Sequence, residues 1–352
     1  MIRRFEYNAR PARIIFGPGA VARLADEITA SGCRRALLLS TPGRRKDAEA
    51  IARALDSRAA GLFAGAAMHT PVAVTEQAMQ VFAAVNADCV VAFGGGSTIG
   101  LGKAIAYRNG ATQFVIVTTY AGSEVTPVLG QTENGLKTTV LHSRILPDVV
   151  LYDPELTLDL PVETSVNSAL NAMAHAVEGL YAQDRNPLSS LSAVEGIRSL
   201  LQALPIIARN PRDIDARGQA LYGSWLCGTV LGTVGMALHH KLCHTLGGSF
   251  GLPHAETHAV LLPHCVAYNM SAAAEALAPL AAFFKGSIAG GLHDFATSLG
   301  APRSLRELGL QAADLDRAAE LAVRNPYWNP RPVEKEPIRD VLRQAWEGRR
   351  PQ

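Results

Sequence analysis

The chain has 352 residues, a formal net charge of +2 and 48% apolar residues, a composition typical of a globular protein with a large core. Its basic residues stand singly or in short pairs, which argues against nucleic acid as a partner. Five scattered cysteines, no signal-peptide segment and no uncharged apolar run of about 18 residues predict a cytoplasmic protein that does not enter membranes.

Residues 1–157 alternate between β-type runs and amphipathic stretches, which predicts a dinucleotide-binding α/β domain with a mostly parallel, Rossmann-like sheet. The strand candidates are RRALLLS (34–40), DCVVAF (88–93), FVIVTTY (114–120) and DVVLYD (148–153). Helical spacing marks AVARLADEITAS (20–31) and TEQAMQVFAAVN (75–86). Residues 158–352 are helical in pattern nearly throughout and predict an all-helical domain, and a ligand is expected in the cleft between the two.

A glycine-rich loop follows the strand candidate DCVVAF. It consists of Gly94, Gly95, Gly96 and Ser97, and a helix is expected to begin at Ser97. Free N–H groups at a helix start bind phosphate well. The loop departs from the fingerprint G-x-G-x-x-G, because Ile99 stands at the position of its last glycine. We interpret it as a phosphate loop; a tight turn without a ligand is the alternative.

Two further segments are expected at the same edge of the sheet. TTYAGSEVT (118–126) offers the hydroxyl groups of Thr118, Thr119 and Ser123. The strand candidate RRALLLS leads to Ser40 and Thr41, with Arg44 and Arg45 beyond. A site strict for NAD usually has a carboxylate near the adenosine ribose, so hydroxyls and arginines here predict that both NADH and NADPH bind. A solvated arginine pair is the alternative.

The stretch HHKLCHTLGGSFGLPH (239–254) concentrates imidazoles. His240 and His244 share a helical face, and TLGGSFGLP is expected to form a turn that returns His254 to them. Asn171 and His175 have the same spacing upstream. Together they predict a divalent-metal site or a proton-transfer site, although each imidazole alone is also explained as a hydrogen-bonded core residue. Three histidines outside this pattern are expected to be structural or surface residues: His239, His258 and His264.

These segments together resemble the iron-containing alcohol dehydrogenase family, which has the fold of dehydroquinate synthase. The resemblance covers most of the chain and implies a homodimer. It implies that GGGS binds the pyrophosphate of NADH or NADPH, that TTYAGSEVT lines the nicotinamide and that Lys137 reaches the cofactor. It places His244 near the substrate. The family's metal ligands, an aspartate and three histidines, correspond to Asn171, His175, His240 and His254.

Within that family, three segments resemble the maleylacetate reductase branch: NAMAHAVEGLYA, HHKLCHTLGGSFGLPHAETHAVLLPH and NPYWNPRPV (325–333). The resemblance implies NADH- or NADPH-dependent reduction of maleylacetate, a small dicarboxylate, to 3-oxoadipate in the breakdown of aromatic compounds. The asparagine at position 171, in place of the family's aspartate, is also similar to this branch. It leaves a metal ion without an anionic ligand, so Fe or Zn is expected to be dispensable.

The expected chemistry is hydride addition to a double bond conjugated to a ketone, which develops charge as an enolate. His240 and His244 are the candidates for stabilising that enolate and delivering the proton, with His175 and His254 completing the catalytic cluster. One alternative is a metal-dependent alcohol or polyol dehydrogenase, which predicts firmly bound metal. Another is a nucleotide-binding protein without catalysis, which predicts tight nucleotide binding and no turnover.

Overall fold

The computed structural model describes residue 5, residue 7 and residues 12–133 and 136–352, without the side chains of residues 136 and 137. The chain folds as two compact units. An α/β unit contains residues 12–160 together with Arg212–Leu221. A helical unit contains Pro161–Pro211 and Tyr222–Gln352. A short stretch of the later sequence therefore packs with the α/β unit.

The described strands form one parallel sheet and one hairpin. They are β1 (Arg13–Phe16), β2 (Ala36–Leu39), β3 (Ala59–Phe63), β4 (Cys89–Gly94), β5 (Thr112–Val117), β6 (Val128–Glu133), β7 (Leu136–Leu141) and β8 (Val149–Tyr152). The sheet has the order β1-β8-β5-β4-β2-β3, and all of its neighbouring strands are parallel. β6 and β7 pair antiparallel. The chain reverses its direction of travel across the sheet between β2 and β4, which is where such sheets bind ligands.

The described helices divide between the two units. The α/β unit contains α1 (Leu24–Ala30), α2 (Arg45–Leu55), α3 (Val72–Ala84) and α4 (Gly96–Asn109). The later helices are α5 (Val162–Tyr181), α6 (Pro187–Arg209), α7 (Ile214–Thr233), α8 (Leu238–Phe250), α9 (His254–Leu277), α10 (Ile288–Ser298), α11 (Leu315–Val323) and α12 (Lys335–Glu347). α7 begins in the α/β unit and ends in the helical unit.

Strands β2, β4 and β8 are apolar throughout because both faces of the sheet are buried there. Leu38 and Val91 pack on one face in the same cluster as Ile28 of α1. Leu37 packs on the other face in the same cluster as Ile105 of α4. Helices therefore cover both faces of the sheet, and the predicted fold class is confirmed: an α/β part with a Rossmann-like sheet and a helical part.

The predicted elements lie close to the observed ones. All four strand candidates form strands, and the helix predicted over 20–31 begins as a 3-10 turn, Ala20–Arg23, before α1. Four strands were not predicted: β1, β3, β6 and β7. β1 gives little signal, since its four residues RIIF are too short to show a period. β3, AAGLF, has no β-branched residue and gives little signal.

Close helix packing in the helical unit depends on small residues. α5 packs against α6 and α9. At Gly179 of α5, an added Cβ would lie 2.1 Å from Cγ1 of Val230 on α7, so any side chain there would push the two helices apart. This close approach fixes the C-terminal half of α5, which carries the polar residues described below.

Among the described helices, α6 is long and apolar enough to cross a membrane, and so is the pair of α7 and α8 taken together, bent by 95°. Composition alone does not separate such a span from the core helix of a soluble protein. In α6, Glu195 and Arg198 form an ion pair at 2.5 Å, while Ile197 and Leu204 are buried. Its apolar face is therefore part of the protein core.

Candidate active site

The glycine loop joins β4 to α4, and within it Gly94 is buried while Gly96 is exposed. Gly94 has a φ of 149°, which other residues rarely adopt. α4 begins at Gly96, one residue earlier than predicted. An added Cβ at Gly95 would lie 2.7 Å from Cγ2 of Thr119, whereas one at Gly96 would meet no atom within 4 Å. Gly95 is thus needed for packing, and the space beside Gly96 is open.

The other predicted cofactor residues cluster at the same edge of the sheet. The Thr118 N–H donates to the Gly94 carbonyl at 3.1 Å, so the segment after β5 lies beside the glycine loop. β2 is paired with β4, which places Ser40 and Thr41 at this edge as well. Ser40 is fully buried. The structure therefore brings together the strand-end residues that were predicted; their contacts with a cofactor stay a prediction.

A buried lysine holds the segment that carries Ser123. Lys103 of α4 donates from Nζ to the Ser123 carbonyl at 2.5 Å, to Oγ1 of Thr126 at 2.9 Å and to the Val128 carbonyl at 3.0 Å. Burial lowers the pKa of Lys103 to about 7. This residue acts on the loop through three hydrogen bonds and was not predicted. The side chain of Lys137, predicted to reach the cofactor, lies outside the described part of the chain.

The two arginines beyond Thr41 differ in position. Arg44 forms an ion pair with Asp47 at 2.8 Å, and its guanidinium lies 5.2 Å from the ring centre of Phe93, near the end of β4. Arg45 pairs with Glu49 at 3.0 Å and is mostly exposed. Of the two, Arg44 is the one held against the strand ends where a ribose phosphate would approach.

The imidazoles come together on three helices of the helical unit. α5 carries Asn171 and His175, α8 carries His240 and His244, and α9 begins at His254. The expected turn over TLGGSFGLP is wrong, because α8 continues to Phe250 and only Gly251, in a left-handed conformation, ends it. The segment to His254 is shorter than predicted.

A buried carboxylate organises the start of α8. Glu178 of α5 accepts the N–H of His239 at 2.7 Å and the N–H of Ala237 at 2.9 Å. It also accepts from Nδ1 of His240 at 2.6 Å. Burial by itself raises the pKa of Glu178, but these donors, His240 foremost, lower it to about 2. The carboxylate is therefore ionised at neutral pH.

His240 is also hydrogen-bonded to His175 through its other ring nitrogen. Its Nε2 lies 2.7 Å from Nδ1 of His175, and both side chains are buried. The three side chains thus form a continuous chain from Glu178 through His240 to His175. Because the carboxylate fixes a proton on Nδ1 of His240, the proton shared with His175 lies on the far nitrogen of His240 or on His175. Glu178 was not predicted, although it lies three residues beyond His175 on the same helix.

His239 and His258 belong to the cluster, although they were predicted to lie outside it. Nε2 of His239 is 2.9 Å from Nδ1 of His258, and both residues are fully buried. Burial lowers the pKa of His239 to about 3 and that of His258 well below its usual value, so both are neutral at physiological pH. Ring centres of His258 and His254 are 4.5 Å apart, and those of His258 and His240 are 5.0 Å apart. The sequence does contain a signal for His258, because it follows His254 by four residues and so lies on the same face of α9. His264 is buried, as expected of a structural residue.

His244 lies at the more accessible side of the cluster. It is partly exposed, and its Nδ1 lies 3.0 Å from the hydroxyl oxygen of Tyr327. Asn329, two residues further on, exchanges amide hydrogen bonds with Asn269 of α9 at 2.7 and 3.0 Å. The Leu238 N–H also donates to Asn329 at 3.4 Å. The segment that carries Tyr327 is therefore anchored beside the start of α8.

The residues predicted to bind a metal do not fit a divalent ion as they are arranged. Zinc–nitrogen bonds of about 2.1 Å separate two nitrogens of a tetrahedral site by about 3.4 Å. Here Nδ1 of His175 and Nε2 of His240 are only 2.7 Å apart and share a hydrogen bond. Asn171 is buried, its Oδ1 has no hydrogen-bond partner among the described atoms, and it carries no charge. A second compact group of possible ligand atoms in the described residues belongs to His239, Cys243 and His258, and it is explained by the hydrogen bond between its imidazoles.

A Rossmann-like unit with a glycine loop and a helical unit with an imidazole cluster define a nicotinamide-dependent oxidoreductase of the dehydroquinate synthase-like class. Residues 11–154 match the family described as "Iron-containing alcohol dehydrogenase", and residues 165–346 match "Fe-containing alcohol dehydrogenase family, C-terminal". The chain belongs to the iron-containing alcohol dehydrogenase family.

Its relatives include two curated proteins and a solved structure at high identity. It is 62% identical to a maleylacetate reductase of Rhizobium sp. strain MTP-10005, over 99% of each chain. It is 52% identical to a maleylacetate reductase of Burkholderia cepacia, again over 99% of each chain. The crystal structure of maleylacetate reductase from Agrobacterium tumefaciens is 62% identical, with a TM-score of 0.97 over 99% of this chain and 100% of that one.

The open space beside Gly96 allows a direct test of the phosphate loop. Gly96→Val places a side chain where this protein has no atom, so the fold should be unaffected. We expect the dissociation constant of NADH to rise on the order of 10-fold or more, because the side chain keeps phosphate from the helix N–H groups. Fluorescence titration measures the constant. Gly248→Val, at another uncrowded helical glycine, is the control; unchanged NADH binding by folded Gly96→Val contradicts the assignment.

The position of Arg44 predicts that its guanidinium binds the 2′-phosphate of NADPH. Arg44→Ala should raise the KM for NADPH more than the KM for NADH, since only NADPH carries the 2′-phosphate that the guanidinium would bind. Steady-state kinetics with each nucleotide measures both constants. Arg45→Ala removes the same charge from the next, exposed position and should change the two constants equally. If Arg44→Ala also changes them equally, Arg44 does not read the phosphate.

The depressed pKa of Glu178 predicts a pH-dependent stability. The ionised carboxylate stabilises the fold above the pKa of an unfolded glutamate, about 4.3, and this stabilisation is lost as the pH falls toward the folded pKa of about 2. Glu178→Gln should lower the free energy of unfolding by about 3–5 kcal/mol at pH 7, because it leaves buried donors facing an amide.

Urea denaturation of the wild type and the variant from pH 7 downward tests this. The difference in unfolding free energy should narrow once the pH falls below about 4.3. Glu195→Gln, which removes the partly exposed partner of Arg198, is the control and should cost less than about 1 kcal/mol at every pH. If Glu178→Gln lowers the free energy of unfolding by the same amount at every pH, the charge of Glu178 does not contribute to stability.

Proposed function

We propose that the chain reduces the conjugated double bond of maleylacetate with NADH or NADPH and forms 3-oxoadipate, and that it does so without a required metal ion. The observation that carries the proposal is the chain of side chains from ionised Glu178 through His240 to His175, next to an uncharged amide at Asn171. The maleylacetate reductases at 62% and 52% identity support the substrate. We further propose that the protein acts on this small molecule in the cytoplasm, without nucleic acid or a membrane as a partner.

The reaction requires a group that accepts charge on oxygen and a group that delivers a proton to carbon. When bound, the reduced nicotinamide supplies the hydride. Hydride addition β to the ketone leaves an enolate, which is much less basic than the alkoxide of an alcohol dehydrogenase. Imidazole N–H donors can therefore stabilise it by hydrogen bonding, where an alkoxide is usually helped by a Lewis acid.

The structure supports different roles for His240 and His244. His240 is buried and has both ring nitrogens engaged, so it suits holding a proton between Glu178 and His175. His244 is partly exposed, and its Nδ1 lies 3.0 Å from the hydroxyl oxygen of Tyr327, so it suits contact with substrate. We propose His244 as the donor facing the substrate, His240 and His175 as the internal proton path, and His254 as a further wall of the cluster.

The runner-up function, a metal-dependent alcohol or polyol dehydrogenase, is favoured by one observation. A carboxylate that orients an imidazole, as Glu178 orients His240, is also typical of histidines that bind zinc. Against it stands the remaining nitrogen of His240, which is hydrogen-bonded to His175. Metal dependence of the rate therefore separates the two functions.

Activity after exhaustive chelation tests the metal-free proposal. The chelated wild type should retain its rate with maleylacetate, while His240→Ala and His244→Ala should each lower kcat on the order of 10²-fold or more, the usual scale for a lost acid–base or oxyanion group. His142→Ala, at an exposed histidine of the α/β unit, is the control and should leave kcat unchanged. An inactive apo-protein that regains full rate with Fe²⁺ or Zn²⁺ would overturn the proposal.

Asn171→Asp extends the same test in the opposite direction. The substitution adds the anionic oxygen that the wild-type position lacks, so the variant should bind Zn²⁺ more tightly. Isothermal titration of the chelated proteins with Zn²⁺ measures the change without reference to activity. Equal Zn²⁺ affinity of the wild type and the variant would show that position 171 does not face the ion.

A further inference from the structure

Lys241 is a partly buried cation beside the imidazole cluster that lacks an anionic partner. It follows His240 directly on α8 and is half-buried. Its Nζ lies 5.8 Å from the ring centre of Tyr327, whose hydroxyl contacts His244. None of the described carboxylates forms an ion pair with it. Two other lysines have oxygen partners: Lys103 has three, and Lys335 pairs with Glu320.

An unpaired ammonium in a half-buried position is costly unless an anion reaches it. Burial lowers the pKa of Lys241, and no neighbouring carboxylate acts against that effect. The aromatic face of Tyr327 compensates only in part, because a cation at this distance is attracted weakly. The position therefore suits an anionic group that is brought by a ligand.

The proposed substrate has such a group at a suitable place. Maleylacetate has one carboxylate on the double bond and a second on the acetate arm, separated from the ketone carbon by one methylene. A donor that hydrogen-bonds the enolate oxygen must therefore lie close to the acetate-arm carboxylate. Lys241 stands three residues before His244, on the adjacent turn of the same helix, and contacts the same tyrosine.

We propose that Lys241 binds the acetate-arm carboxylate of the substrate and thereby selects dicarboxylic enones over shorter ones. The proposal rests on the proposed function of the site. A cation bound to the acetate-arm carboxylate would not touch the double bond, so its contribution should be equal in the ground state and the transition state. Loss of such binding raises KM and leaves kcat nearly unchanged.

The experiment compares Lys241 variants on the full substrate and on a truncated one. Lys241→Met, Lys241→Arg and the wild type are assayed with maleylacetate and with 4-oxopent-2-enoate, which has a methyl ketone in place of the acetate arm. Lys241→Met should lower kcat/KM for maleylacetate by about 10- to 100-fold, the scale of one charged hydrogen bond, chiefly through KM. It should change kcat/KM for 4-oxopent-2-enoate by less than about 3-fold. Lys241→Arg keeps the charge and should lose less than Lys241→Met.

Controls separate the failure of this assignment from that of the proposed function. Lys285→Met removes the same charge from an exposed position and should change neither substrate. Equal losses of Lys241→Met on both substrates, or no loss on either, would overturn the role of Lys241 while the reaction itself stands. A wild type that does not reduce maleylacetate at all would overturn the proposed function and this assignment with it. Should Lys241→Met unfold, Lys241→Gln provides the same comparison.

Discussion

The buried carboxylate of Glu178 is the interaction on which the helical unit's polar centre depends. It accepts two backbone N–H groups at the start of α8, which otherwise lack partners because the first turn of a helix has none. It also fixes the ring of His240. One side chain therefore decides where α8 begins and which nitrogen of His240 is turned toward His175.

The charges of the cluster follow from this arrangement. Glu178 is ionised, while burial keeps His239 and His258 neutral. The carboxylate contacts the ring of His240, which in turn contacts His175. The partly exposed His244 is separated from this pair by a ring-centre distance of 6.1 Å to His240. The buried pair and the partly exposed imidazole therefore lie a few ångströms apart in different surroundings.

Much of the fold could be predicted from the sequence, because buried parallel strands leave continuous apolar runs and glycines mark the phosphate loop. The four strand candidates and the edge where Gly94, Thr118 and Ser40 meet belong to that class of signal. The sequence was less informative about single polar residues, because they do not recur at a regular spacing. Glu178 was missed because a single carboxylate in an apolar helix has no spacing rule, and the turn before His254 was misjudged because glycines inside α8 look like a loop. Lys103 and His258 are further cases in which burial, absent from the sequence, gives the residue its role.

The reciprocal amide pair of Asn329 and Asn269 has a consequence for how the site meets its ligand. Tyr327 lies only two residues from this anchor, so its backbone has little freedom to swing away. The conformational entropy of ordering that wall is therefore lost when the protein folds, not when a ligand arrives. A ligand bound beside His244, as proposed above, would meet a surface that is already organised, and more of its interaction energy would remain available as affinity.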